Sequence, residues 1–208
     1  MFSVDTFAAR NGLRIMDMAL AQDTSVRILN GERVGFCSDI DVKGDMPVGL
    51  TPADSGPFGI CVSADPGKKP FDTTMCLVPE DIAIGVGCRK GTDPDKLNGF
   101  ILALLQEDRI APERVCAVCS IDLKKDEKAV ADLAGNLGCR TAFYTADELL
   151  AVEGDFSGSD FVHSVTGVDC VCERSALKPF GGTLIRRKTA EDGMTAAFCR
   201  RNMEVGFL

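Results

Sequence analysis

The spacing of apolar positions in this chain changes near Pro79. Before it, short apolar runs are broken by turn residues. Val4 to Arg10 predicts a short helix stopped at Asn11-Gly12. Val26-Arg27-Ile28-Leu29 and Arg33-Val34-Gly35-Phe36 flank Asn30-Gly31. Both central positions of a two-residue hairpin turn want positive φ, so this pattern predicts a β-hairpin. Residues 41–57 carry Pro47, Gly49, Pro52, Gly56 and Pro57 and read as an irregular connector. Phe58 to Ser63 and Thr73 to Val78 predict two further strands, separated by Asp65-Pro66-Gly67.

From Asp81 the pattern becomes regular. Ile82 to Val86 is an apolar run suited to a buried strand. Thr92 carries the signature of a helix N-cap, with Pro94 in the first turn and Asp95 three residues on. Leu97, Phe100, Ile101, Leu104 and Leu105 then fall on one helical face. Val115 to Cys119 predicts a second strand. A helix from about Lys125 turns Val130, Leu133, Ala134 and Leu137 inward and ends at Gly138. Thr141 to Tyr144 is a short third strand, and Thr145-Ala146-Asp147-Glu148 is a capping box opening another helix. Short helices are expected around 159–166 and 170–178. Thr183 to Lys188 and Thr195 to Arg200 predict a hairpin around Glu191-Asp192-Gly193. The alternation implies an α/β fold: a mixed sheet with helices on both faces and a C-terminal β-hairpin over 80–208, preceded by a smaller α+β region over 1–79.

Composition narrows the function classes. The 208 residues are 45% hydrophobic and 26% charged, as in folded soluble proteins. The longest apolar runs, such as Phe100 to Leu105, fall far short of the about 20 residues of a membrane span, and no signal-like segment opens the chain. A cytoplasmic protein with no membrane partner is expected. The 23 Lys and Arg against 31 Asp and Glu give a net charge of −8, a poor match for nucleic acid. The ten cysteines read mostly as reduced, buried thiols acting as small hydrophobes.

Three polar motifs stand out. Gly85-Val86-Gly87-Cys88-Arg89-Lys90-Gly91-Thr92 joins a strand to a helix. Its glycines let a ligand approach the backbone, the helix start favours an anion, and Arg89 and Lys90 add charge. A tight turn that needs glycine for packing is the alternative. The motif matches neither a dinucleotide fingerprint nor a Walker loop, since Lys90 replaces the third glycine and precedes Gly91. In Ser120-Ile121-Asp122-Leu123-Lys124, an extended backbone would aim Ser120, Asp122 and Lys124 to one side, at the strand end where α/β sheets bind ligands; Asp122 could equally cap the next helix. The third motif is Val165-Thr166-Gly167-Val168-Asp169 with Glu173. Glu173, between Cys172 and an apolar run, suits either a carboxyl of raised pKa acting as acid or base, or a first-turn helix residue.

Other features carry less. His163 is the only histidine and reads as structural. Cys116 and Cys119 match C-x-x-C but face opposite sides of a strand. Cys170 and Cys172 lack partners at zinc spacing, so no protein metal site is expected. Between Arg174 and Arg201 lie seven basic residues, Arg174, Lys178, Arg186, Arg187, Lys188, Arg200 and Arg201, opposed only by Glu191 and Asp192. They form either a basic surface for a specific polyanion or a solvated hairpin face.

In this order, the motifs of 85–92, 120–124, 164–177 and 181–185 resemble the C-terminal domain of CbiG-type cobalamin biosynthesis proteins, the cobalt-precorrin-5A hydrolases, and also the CobE proteins. The match covers about 81–201. Residues 1–79 look like the family's central region, through Asn-Gly-Glu-Arg-Val-Gly and Asp-Met-Pro-Val-Gly-Leu. Against the family pattern, the chain is expected to lack an N-terminal domain.

The resemblance implies hydrolysis of cobalt-precorrin-5A to cobalt-precorrin-5B, with opening of the ring-A lactone and release of acetaldehyde. Cobalt would arrive inside the substrate, so no cofactor is expected. Asp122 or Glu173 would activate water, and Lys124 and Arg89 would hold carboxylates or an oxyanion. Gly85, Gly87, Cys88, Lys90, Gly91, Thr92, Ser120, Thr166 and Gly167 would complete the substrate site, with Cys172 a further wall position. A non-catalytic tetrapyrrole carrier is the alternative, and a thiol metal or redox protein a third. Other corrin-pathway enzymes or a second copy of the chain are possible partners.

Overall fold

The computed structural model describes residues 2–158 and 164–207. His163 and most of the helix expected at 159–166 lie outside the described residues. The chain forms two compact units, residues 1–80 with 203–208, and residues 81–202. Residues 203–207 thus group with the first unit, although the sequence pattern places them in the second.

In the first unit α1 (Val4–Asn11) ends at Gly12, whose φ of 59° is the left-handed cap expected. Then follow β1 (Leu13–Ile15), α2 (Met18–Leu29), β2 (Val34–Ser38), β3 (Val42–Lys43), β4 (Leu50–Pro52), β5 (Gly56–Val62) and β6 (Phe71–Pro79). The main sheet has the order β1-β6-β5-β2-β4, with β1 antiparallel and the rest parallel.

The hairpin expected around Asn30-Gly31 does not form. Val26 to Leu29 are the last turn of α2, which Asp17 caps through the Leu20 amide and which buries Ala21, Thr24 and Ile28. Gly31 has the expected positive φ of 81°, but it ends a helix. Val34 then pairs in parallel with Leu50.

The second unit contains β7 (Ile82–Gly87), α3 (Pro94–Glu107), β8 (Val115–Ile121), a 3-10 turn (Asp122–Lys124), α4 (Lys128–Leu137), β9 (Arg140–Tyr144), α5 (Ala146–Leu150), α6 (Val171–Leu177), β10 (Thr183–Glu191) and β11 (Met194–Arg200). Strands β7, β8 and β9 are parallel, and the β10–β11 hairpin adds antiparallel to β7, giving the order β10-β11-β7-β8-β9. This is the mixed α/β sheet that the alternation predicts. Thr145 and Glu148 make the capping box. The cap of α3 is Asp93, not Thr92: the Asp93 carboxylate accepts from the Asp95 amide, and the Thr92 hydroxyl donates to the Arg89 carbonyl.

Residue size sets what covers each sheet face. Ile82, Ile84 and Val86 of β7, with Val118, Ala196 and Phe198, form the core under α3 and α4. The opposite face is small, with Ala83, Gly85, Ala117, Cys119, Ala197 and Cys199. Only a helix that comes very close can fill it, and α6 does. A Cβ on Gly85 would lie 1.8 Å from the Cys172 carbonyl oxygen. Among the described residues no helix is long and apolar enough to cross a membrane.

Candidate functional site

The C-terminal ends of β7 and β8 open into a cavity of about 660 Å³ in the second unit. Its walls come from four segments of sequence. The turn after β7 gives Gly87, Cys88, Arg89 and Lys90; β8 and its 3-10 turn give Ser120, Ile121 and Lys124. Val165, Thr166, Cys170, Val171 and Cys172 bring the third motif, and residues 188 and 190–195 of the hairpin close the fourth side. The position follows the rule that open parallel sheets bind ligands beyond their strand C-termini.

The three sequence motifs therefore meet, but their members have different tasks. Ser120 is fully buried, its hydroxyl donating to the Val86 carbonyl at 2.8 Å, so it pins the two strand ends together. Thr166 closes a local turn, donating to the Val168 carbonyl and accepting from the Val168 amide. Gly167, with φ of 75°, lies in that turn but does not line the cavity. Gly85 is a glycine because α6 needs the space, not because a ligand approaches it. Gly91 and Thr92 also lie outside the lining.

Asp122 is exposed on the 3-10 turn and does not line the cavity. The turn breaks the alternation that an extended segment would have given, so Lys124 reaches the cavity and Asp122 does not. Nor does Asp122 cap the next helix, since the N-cap position of α4 is Glu127.

Glu173 is 0% exposed, and its oxygens are occupied. Oε2 accepts from the Ser157 amide at 2.7 Å and from the Cys170 thiol at 3.5 Å; Oε1 accepts from the Lys188 amide at 2.9 Å and the Ser157 hydroxyl at 3.2 Å. Burial pushes its pKa up, as one of the two alternatives for this residue supposes, but these donors outweigh burial and hold the carboxyl below its usual range. Glu173 is an ionised anchor that fixes the backbone from which Lys188 reaches the cavity.

The donors of the 85–92 turn are partly satisfied by the protein itself. The Gly91 amide donates to Glu127 Oε1 at 2.9 Å, and Glu127 Oε2 lies 3.8 Å from Lys124 Nζ. Sequence reasoning missed Glu127. Its signal was its place three residues after Lys124, one helical turn, with a side chain only 11% exposed. Asp93 occupies the α3 start in the same way.

The basic run does not form one surface. Arg186 pairs with Glu107 and Asp108; Arg174 pairs with Asp169 at 2.8 Å and lies over the Phe156 ring. Glu107 and Asp108 lie 79 and 78 residues from Arg186, and Asp169 lies just ahead of the counted stretch, so the local count could not include them. Of the seven, Lys188 alone lines the cavity. Arg89 lies against the hairpin turn, where a Cβ on Gly193 would come within 2.6 Å of its Nε. Four cations, Arg89, Lys90, Lys124 and Lys188, thus surround walls that include Ile121, Val165, Val171 and Met194. Among the described residues the lining carboxylates are Glu191 and Asp192.

Three thiols also line it. Burial pushes Cys88 up. Cys170 and Cys172 approach to 3.9 Å between sulfurs. Among the described residues no group of three or more His, Cys, Asp or Glu is arranged to hold a metal ion.

Comparisons with known proteins agree with this layout. The family described as "Cobalamin synthesis G C-terminus" matches residues 82–199, and "Cobalamin biosynthesis central region" matches residues 2–79. A cobalt-precorrin-5A hydrolase from Salmonella typhimurium is 30% identical over 94% of this chain and 59% of its own length. One from Priestia megaterium is 30% identical over 57% of this chain and 32% of its own. The chain therefore spans between about a third and three-fifths of these relatives. The crystal structure of CobE, a protein from the cobalamin biosynthetic pathway, matches 59% of this chain and 92% of its own with a TM-score of 0.55 and 28% identity. On the match of its central and C-terminal regions, the chain belongs to the CbiG family of cobalamin biosynthesis proteins.

Proposed function

We propose that the cavity binds cobalt-precorrin-5A and that the chain takes part in its hydrolysis to cobalt-precorrin-5B. The observation that carries this reading is the ring of four cations around an apolar wall. A tetrapyrrole intermediate is a flat apolar macrocycle rimmed with acetate and propionate groups, so it needs both. Arg89 and Lys90 would hold peripheral carboxylates. Lys124 and Lys188, nearer the buried walls, would hold the lactone carboxyl and the negative charge that develops on its carbonyl oxygen as water adds. Lactone opening also needs a base within reach of that water. Among the described residues the lining carboxylates are Glu191 and Asp192, so they replace Asp122 and Glu173 as the candidates. Expulsion of the C20 carbon as acetaldehyde would follow in the same site, with cobalt held by the substrate.

Acetaldehyde release from cobalt-precorrin-5A by the full chain tests this reading. Turnover that falls at least tenfold in both Arg89→Ala and Lys124→Ala supports it; unchanged turnover in both removes the cation ring from the mechanism. The second reading is binding without turnover. It is favoured by the exposure of Glu191 and Asp192 on the hairpin turn, where a base is poorly shielded from water. Salt-sensitive binding with no acetaldehyde would select it.

A further inference from the structure

In the first unit three cysteines lie in one lateral row. Cys37 on β2 is in register with Cys61 on β5, and Cys61 with Cys76 on β6. Residues in register on neighbouring parallel strands project to the same face, with strands about 4.8 Å apart. That spacing falls within the about 4.4–6.8 Å between Cα atoms that a disulfide spans. Cys37 and Cys76 are two strand spacings apart, about 10 Å, which is out of reach. All three are free thiols in this structure.

The row is graded in access. Cys61 is 0% exposed and Cys76 8%, whereas Cys37 is only partly buried. Burial, and then the neighbouring Cys37 thiol, push the Cys61 thiol up, which keeps Cys61 from being the first to react. Beside them, the Lys68 ammonium pairs with Asp39 and also attracts both sulfurs. Entry at Cys37 therefore rests on its partial exposure, with the Lys68 charge beside it.

We propose that Cys37 and Cys61 form a redox-modification site, where a low-molecular-weight disulfide enters at Cys37 and leaves an intramolecular Cys37–Cys61 bond. The Cys37 thiolate attacks one sulfur of the reagent, giving a mixed disulfide and one released thiolate. The Cys61 sulfur then attacks the Cys37 sulfur, displacing the second half of the reagent. The two protons of the protein thiols end on the two released thiols. Two protein sulfurs are oxidised and one reagent disulfide is reduced. The product ties β2 covalently to β5.

Oxidised glutathione is the probe. The full chain should lose two hydrogen atoms in mass, retain no glutathione, and recover with dithiothreitol. A tryptic digest without reductant should join residues 34–43 to residues 44–68. In Cys61→Ser, glutathione should stay on Cys37; in Cys37→Ser, Cys61 should remain a free thiol. The proposal is overturned if glutathione persists on Cys37 of the unmodified chain, if Cys37 does not react, or if the bridge joins other cysteines. Should Cys61→Ser fail to fold, modification of Cys61 in Cys37→Ser would still overturn the order of entry.

Discussion

The amide of Gly91 donates a 2.9 Å hydrogen bond to Oε1 of Glu127, while Oε2 of the same carboxylate faces Lys124 Nζ at 3.8 Å. One side chain thus orders the turn that carries Arg89 and partly neutralises a cation of the cavity. The two effects can be separated. Glu127→Gln keeps an acceptor for Gly91 but removes the charge competing for Lys124, so affinity for cobalt-precorrin-5A should rise by about fivefold, for about 1 kcal/mol. Glu127→Ala also frees the turn, so affinity should fall instead. Equilibrium titrations of both variants check this. A shift in the same direction for both would count against the dual role.

Glu173 should matter for stability. Glu173→Ala removes the acceptor of two part-buried hydrogen bonds, from the Ser157 and Lys188 amides, at about 0.5–1.5 kcal/mol each. A loss of about 1–3 kcal/mol is expected in urea unfolding. The pH dependence has a definite sign. The carboxyl titrates lower folded than unfolded, where the value is about 4.3. Its stabilisation is therefore complete above about pH 4.3 and is lost as pH falls through the lower folded value. Glu173→Gln should flatten this part of the acid-unfolding curve.

The two glycines of β7 should respond differently to a methyl group. Gly85→Ala sets its Cβ 1.8 Å from the Cys172 carbonyl oxygen and 2.7 Å from the Ala176 nitrogen, so α6 must lift off the sheet. About 3 kcal/mol or more should be lost. Gly87→Ala meets the Thr195 hydroxyl at 2.5 Å, a rotatable group, and should lose about 1 kcal/mol. Thermal melts of the pair test the contrast, and similar losses would place the tight contact elsewhere.

Tyr144 is the sole tyrosine in a chain without tryptophan, so its ionisation can be followed by absorbance without overlap. Burial, then the neighbouring Cys119 thiol, pushes its phenol up to about 12. Unfolded tyrosine titrates at about 10. The folded form therefore holds its proton longer, and the associated stability, whole below about pH 10, drains away as pH rises toward the folded value. A folded-state midpoint near 10 would contradict the buried contact.

Much of the second unit is legible in sequence because its signals are local. The Leu97–Leu105 face of α3, the Thr145 capping box and the Asp192-Gly193 turn each need only neighbours within a few residues. Asn30-Gly31 fails for the same reason. Glycine at positive φ ends a helix as readily as it turns a hairpin, and what decides is the parallel pairing of Val34 with Leu50 and of Gly35 with Gly59. The three site motifs were visible, but the roles inside them were not. Whether Asp122 or Lys124 reaches the cavity depends on a single 3-10 turn. Whether Glu173 is a base or an anchor depends on Ser157 and Lys188, 16 and 15 residues away.

The pairing of the chain's last described residues bears on the order of assembly. Val205 and Gly206 form a strand, β12, beside β3, and Asn11 both donates to the Gly206 carbonyl and accepts from its amide, 195 residues away. The unit holding α1 thus stays unfinished until everything between has been synthesised. The unit of residues 81–202 is continuous and can close its sheet from contacts within itself. Long closures are slow because their entropy is lost before any contact compensates it. On the ribosome, the unit of residues 81–202 can therefore reach its native state first, leaving the edge at Val42 and Lys43 open until Val205 and Gly206 pair with it.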